Sequence, residues 1–530
     1  MEGAAPMRAP KSIMYGDQLP LGVEAKSQKR LFFPTTGDLY SPTSNSICRI
    51  DINYDGLMDT AQSYLEFKLT NKSGKKASFD LGQPVIRKLT ISSGGVVLEE
   101  IHDYNALVAG VLFPAQAGVQ NLHYEGMNNN GLDQRSGFTQ INAAQAACAT
   151  TYVDADNTNA AVALTAAELA EDPPAAANAR LETSINGVID GSLTTFNGKV
   201  QTAVAASVVL GVNAGGGSIN GGGSDVLKYS DCDANGGSTA SSRTGVYEDN
   251  AVVLQQYKLV SGLMENDKYL PLVLMNAGIT LEFELAPSVD CMVTENPGVG
   301  AGYEITQVRY VAHLIDLERS FYDRLRMVQQ NSGGVLQIAG QSWRGFRATQ
   351  TAGTSQSLNC PARVRSIKSF FWKYGRSGNG ATFNLSGGGS NTLQTYQLSI
   401  GATRYPPTPN ECDVITNKTS PYTELQKAFG KIGSNIHPDR CNSANYLNGI
   451  GSPASMGKAQ TIPFAPFGID LESFRHEIEN GIDTSSRALP ITLHTTSTAV
   501  PADGCLDCYM WILYDSLFYI NMDGSVSVSN

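Results

Sequence analysis

The sequence predicts an all-β chain built from β-domains in tandem, and three observations carry that expectation. Apolar and polar residues alternate with a period of two in many short runs, the repeat of a strand with one buried face. Between the runs lie stretches rich in Gly, Asn, Ser, Thr and Pro, with 53 Gly and 23 Pro in all, which is the chemistry of turns and long loops. A chain of 530 residues also exceeds what one hydrophobic core organises, so two or three domains are expected.

The pattern is organised around residues 268–330. Ile279, Leu281, Phe283 and Leu285 fall on one face of a strand, with Thr280, Glu282 and Glu284 on the other. A turn at Asn296-Pro297-Gly298 follows, then a long strand from Tyr303 to Leu317. Phe321, Leu325 and Val328 next show helical spacing. One β-domain precedes this region and another follows it.

Taken in order, residues 1–24 have no periodicity and read as a flexible arm. Strands are expected at Cys48 to Tyr54, Tyr64 to Thr70, Val85 to Ile91 and Val96 to Ile101, joined by tight turns and read together as an antiparallel sheet. Tyr104 to Leu112 reads as a short helix. From about 115 to 246 the texture shifts to Ala, Gly, Asn, Ser and Thr, a surface insertion with a few strands of its own, such as Val204 to Leu210. Its run from Gly215 to Gly223 lacks the Gly-Lys-Ser/Thr of a phosphate loop and reads as a loop. In the second half, strands are expected at Gly334 to Ala339, Val364 to Trp372, Thr395 to Ile400, Leu489 to His494 and Cys508 to Ile520, with a helix from Tyr422 to Phe429. The domains are therefore 1–24, 25–330 carrying the 115–246 insertion, and 331–530.

Only 16% of the residues are charged, against the usual quarter, so the surface is expected to be polar but nearly neutral. A net charge of −11 excludes a chain that wraps nucleic acid with its whole surface, and leaves room for a local basic face. No continuous apolar stretch follows Arg8 and Lys11, and no run is long enough to span a membrane as a helix; a soluble chain made in the cytosol is expected.

Residues that carry chemistry are scarce. The six His (102, 123, 313, 437, 476 and 494) have no metal-site spacing, and His313 reads as a core or interface residue. Nine scattered Cys do not form a disulfide framework and read as buried thiols; Cys505 and Cys508 form a single Cys-x-x-Cys with no second pair for zinc. Three carboxylate pairs were candidates for glycan hydrolysis: Glu282 with Glu284, Asp470 with Glu472, and Glu99 with Glu100. Nothing in the sequence marks any of them as desolvated. The three Trp (343, 372 and 511) assign no sugar platform, and the sequons at Asn71, Asn384 and Asn417 read as turn chemistry. No catalytic, cofactor-binding or metal-binding residue is therefore expected.

The order of motifs does resemble a family. Leu270-Pro271-Leu272, the Ile279 to Leu285 strand and the strand ending Ile315-Asp316-Leu317-Glu318-Arg319 resemble the end of the first barrel in double jelly-roll major capsid proteins of icosahedral DNA viruses, the group that includes virophages, polinton-like viruses and nucleocytoplasmic large DNA viruses. Val364 to Trp372 resembles an early strand of that family's second barrel. Phe467 to Leu471, Asn480 to Ser485 and Tyr514 to Val528 resemble its closing strands. The resemblance implies two tandem eight-stranded jelly rolls with long loop insertions and a few short helices. It further implies a homotrimeric, pseudo-hexameric capsomer in a virion shell, meeting neighbouring capsomers, single jelly-roll penton proteins and minor capsid proteins. The arm and its junction, with Arg8, Lys11, Lys26, Lys29 and Arg30, would face inward to neighbouring capsomers, a membrane or the genome, and the outward loops would face the host. The alternatives from the residues alone are a carbohydrate-binding or glycan-hydrolysing β-sandwich and a non-capsid viral spike.

Overall fold

The computed structural model describes residues 25–74, 77–79, 82–116, 151–152, 162–163, 246–247, 249–294, 302–351, 353–375, 392–413, 416–430, 432, 446–447, 465–474, 479–486, 489–499 and 507–530. The 1–24 arm, nearly all of the 115–246 insertion, the Asn296 to Gly298 turn, the sequon at Asn384, Cys148, Cys232, Cys441, Cys505, His123, His437 and His476 lie outside the described residues.

Sixteen principal strands make up two sandwiches, and the short strands Leu39–Tyr40, Leu270–Pro271 and Val526–Ser529 add to their main sheets. The first holds β1 (Ala25–Phe32), β2 (Ile47–Ile52), β3 (Leu57–Asn71), β4 (Ile86–Ser93), β5 (Val96–Ile101), β6 (Val252–Tyr257), β7 (Ile279–Leu285) and β8 (Tyr303–Leu317). The second holds β9 (Val335–Thr349), β10 (Ser355–Cys360), β11 (Ile367–Gly375), β12 (Leu393–Ile400), β13 (Thr403–Glu411), β14 (Phe467–Asp470), β15 (Ile491–Ser497) and β16 (Asp507–Asn521). In the first sandwich the sheets run β1-β8-β3-β6 and β2-β7-β4-β5; in the second, β9-β16-β11-β14 and β10-β15-β12-β13. Adding eight to every label of the first pair gives the second, so one wiring occurs twice. It is that of a jelly roll, in which strands cross between two sheets and the last strand inserts between the first and third.

The alternation in the sequence sets which face each strand buries. Along β7 the pattern is strict: Ile279, Leu281, Phe283 and Leu285 are buried and the three residues between them half-buried. β2 alternates in the same way, with Cys48, Ile50 and Ile52 inward. β11 is buried at every position and β16 at nearly every one, because further elements cover their outer faces as well.

The structure corrects the expectation of one sheet from the first four predicted strands. β3 lies in the opposite layer, and β7, arriving almost 200 residues later, separates β2 from β4. Short local turns favour a meander, but burying apolar faces on both sides of one core requires the chain to cross between layers. The Tyr104 to Leu112 stretch is helical as expected, with Val108–Leu112 wound as a π-helix, and the helix continues beyond the expected end to Gln116. Helix α1 (Arg319–Asn331), which links the barrels, half-buries Phe321 and Leu325 of the predicted stripe, with Leu325 packed against the core, and leaves its third member exposed. Met327 is 61% and Val328 51% exposed, whereas Gln329 is buried and its Nε2 donates to the Ile520 carbonyl at 2.9 Å. Helix α2 (Thr419–Ala428) buries Leu425 and Ala428 as expected and lies over β14 and β11.

The core of the second barrel centres on Trp372, which is fully buried, stacked on Phe467 at 5.1 Å and set edge-on to Tyr396 at 4.9 Å. All five described cysteines (Cys48, Cys291, Cys360, Cys412 and Cys508) are free and buried, as expected of core thiols. Replacing Trp372 by Ala is expected to destabilise the protein by about 3–5 kcal/mol in denaturant unfolding. A loss below about 1 kcal/mol would contradict its central place in the packing.

Candidate functional site at the seam between the barrels

The seam is where chemistry-bearing side chains gather. β5 and the residues after it in the first barrel lie against β9, β11 and β16 of the second, and glycine lets the two backbones meet directly. A Cβ on Gly345 would collide with the His102 carbonyl, and one on Gly262 would lie 2.7 Å from the Gln341 carbonyl oxygen. Across the same boundary, Asn266 Nδ2 donates to the Ala339 carbonyl at 2.7 Å and Trp511 Nε1 to the His102 carbonyl at 3.3 Å.

Glu99, on β5, forms the polar centre of this seam. It is 2% exposed, although nothing in the sequence marked it as desolvated. Its carboxylate accepts from the Gly262 amide at 2.9 Å, the Leu263 amide at 3.1 Å, the Ser261 hydroxyl and, from the second barrel, the Ser342 hydroxyl. Burial raises its pKa, opposed by these four donors. The neighbouring Glu100 points to the other face of β5, where its bond to Lys88 at 2.5 Å holds its pKa down. Alternation along one strand thus gives two adjacent acids opposite environments.

Beside Glu99, a cleft of about 590 Å3 runs between the barrels, with Glu265, Asn266 and Lys268 on one wall and Gln341, Trp343 and Glu472 on the other. Part of Glu265 is open to solvent, yet the cleft walls crowd it, and desolvation raises its carboxyl to about 7 against the pull of Lys258. Behind the far wall, Lys368 is 2% exposed and lies 2.9 Å from the lining residue Glu472 and 3.5 Å from Asp515. Elsewhere on the seam, Asp103 and Asp290 of the first barrel lie near Arg347 and Asp507 of the second, and burial raises the pKa of both. Residues far apart in sequence form these groups, so no spacing rule would have found them.

The acid pairs considered for glycan hydrolysis are not brought together as catalytic pairs. Glu282 and Glu284 are half-buried on the outer side of β7, with Glu284 3.9 Å from Arg87. Glu472 is held by Lys368, and Glu99 has its acceptor positions filled by backbone and seryl donors out of reach of a substrate. Trp343, Trp372 and Trp511 are all buried, which leaves no tryptophan as a sugar platform. Among the described residues no group of three or more His, Cys, Asp or Glu is placed to hold a metal. At the sequons, the buried Asn71 accepts from the Ser73 amide and Asn417 from the Ser420 amide, which is turn chemistry. Lys26, Lys29 and Arg30 lie on exposed strand β1, with Lys29 2.9 Å from the Tyr64 hydroxyl.

No family model matches this sequence, and no curated protein matches it. Solved structures do match. PBCV-1 VP54, fitted into a reconstruction of the virophage Sputnik, superposes with a TM-score of 0.51 over 97% of this chain and 99% of its own, at 9% identity. The chain has the double jelly-roll fold. The Faustovirus major capsid protein is similar at a TM-score of 0.49 and 7% identity, covering 96% of this chain and 92% of its own. That of mavirus is similar at 0.43 and 8% identity, covering 100% of this chain and 96% of its own. At these identities the likeness is one of fold, and the wiring repeated in both barrels is its structural content.

The raised carboxyls set the sign of a pH dependence. A carboxyl whose pKa rises on folding takes up a proton in the folded state, so its stabilisation is complete below the unfolded value of 4.5 and is lost as pH climbs through the folded value of about 7. The difference in melting temperature between the wild type and Glu265→Gln is therefore expected to change between pH 5 and pH 8, the variant losing less stability as pH rises. Parallel melting curves across that range, followed by differential scanning fluorimetry, would contradict the crowding of Glu265.

Proposed function

We propose that this protein is a major capsid protein, a structural subunit without enzymatic activity whose homotrimers form pseudo-hexameric capsomers in the icosahedral shell of a DNA virus. The observation that carries the reading is the doubled jelly roll itself, matched to PBCV-1 VP54 over nearly the whole of both chains. Two similar barrels in each chain give a trimer six nearly equivalent lobes, a unit that tiles a hexagonal lattice through closed cyclic symmetry. Low charge density supports the same reading, because every charge buried in a lateral contact costs desolvation.

In this reading the protein resides in the virion, after assembly inside the host cell. Neighbouring capsomers, single jelly-roll penton proteins and minor capsid proteins are its partners. The arm before β1, with Lys26, Lys29 and Arg30 at its junction, faces inward to a membrane or the genome, and the outward loops face the host. Negative-stain electron microscopy and solution mass on one purified sample test the core of the proposal. Three-lobed particles of hexagonal outline, at about three times 56.5 kDa, are expected. Uniform monomers that never form hexagonal arrays would overturn it.

A further inference from the structure

Repetition of one wiring in two barrels allows their outer surfaces to be compared strand for strand, and among the described residues the comparison leaves one face and one edge partly exposed. In the second barrel, the outer side of β9-β16-β11 is covered. α2 lies over it, the His102 carbonyl meets Gly345 and Trp511, and Gly110 meets the Lys373 side chain. The element delivering those last contacts is the fifth strand of the first barrel together with the residues that follow it, and along β5 Leu98, Glu99 and Ile101 are buried.

Among the described residues, each side of this contact has a counterpart that keeps exposed side chains, although Glu66, Thr70 and Val311 on the receiving face are themselves buried. The counterpart of the covered face is the outer side of β1-β8-β3-β6. Register places Leu31, Val311 and Tyr64 side by side there, and likewise Gln256, Glu66 and Arg309. Leu31 (38% exposed), Val252 (54%) and Leu254 (46%) all lie on this face. Lys29 and Lys68 lie there too, with no carboxylate within ion-pair reach among the described residues, while Arg309 is paired to Glu66. The counterpart of β5 is β13, where no residue is fully buried. Pro406, Pro407 and Pro409 deny that edge the amides needed to add another strand, so it docks through side chains, and Glu411 and the nearby Asp413 are exposed at its end.

Among the described residues, each chain therefore carries one engaged and one exposed copy of both halves of the same contact. A head-to-tail contact of this kind repeats from chain to chain and closes into a ring when its rotation permits. We propose that the outer face of β1-β8-β3-β6 is the docking surface for the β13 edge of a second copy of this chain. The inference rests on the trimeric reading above and assigns the surfaces through which it closes. Exposed leucine and valine supply the apolar contact, and Lys29 and Lys68 on one side face the acids Glu411 and Asp413 on the other.

The test is sedimentation velocity of the full chain and three single variants, with a thermal melt of each to show that it is folded. Leu254→Glu alters the receiving face, Pro407→Glu alters the β13 edge, and Ile47→Glu is a control at a position of similar exposure (46%) on the other sheet of the first barrel. The first two are expected to weaken association by about 30-fold or more, and the control to remain trimeric. Lys29→Glu replaces Leu254→Glu if the latter melts without cooperativity. A wild-type trimer with all variants still trimeric would overturn the assigned surfaces and leave the capsomer standing. A monomeric wild type would overturn both.

Discussion

Each barrel is closed by the strand that arrives last. β8 inserts between β1 and β3, and β16 between β9 and β11, so the centre of each main sheet is missing until nearly all of that barrel's chain is in place. Much else follows from this. β1 has a single ladder partner, β8, and the inner faces of β3 and β11 have a complete sheet to pack with only once their neighbour is present. The 15-residue length of β8 and of β16 lets each strand hold partners on both sides along the height of its barrel. Because these ladders join residues far apart in sequence, loop closure is costly and the pairing is slow to form.

The seam shows how two separate sandwiches become one body. Glycine at positions 262 and 345 lets backbone meet backbone, and a buried carboxylate gathers donors from both barrels. A buried acid adds little net stability, since its desolvation opposes its hydrogen bonds. It does add geometric demand: Glu99 is satisfied only when Ser342 stands opposite the 261–263 turn. The angle between the barrels is thus held by direction-dependent contacts rather than by apolar packing alone.

Legibility in the sequence followed the physics of burial. Strands with one wet face announced themselves: the bounds of Ile279–Leu285 and Tyr303–Leu317 were read correctly, and Val96–Ile101 likewise, because alternation is a local signal. β1 was missed, since its first seven residues are exposed and leave no apolar period. β13 was hidden by its prolines, which sit at a sheet edge where the missing amides cost nothing. The layer assignment of the first four strands depended on β7 and could not be read from their own turns. Glu99 was misjudged for the same reason, as its partners come from elsewhere in the fold. Motif order identified the fold where no single motif did.

The late arrival of the closing strand has a consequence for synthesis. A chain broken off after residue 317 can already close its first barrel, whereas one that stops short of residue 507 leaves β9 and β11 without the strand that joins them. Such a fragment would pair an intact lobe with an open sheet, whose bare edges are prone to aggregate. Completion of the fold then serves as a check on completeness. Only a protein translated through its last long strand has two finished lobes, so a product that stops short differs from the whole one in shape as well as in length.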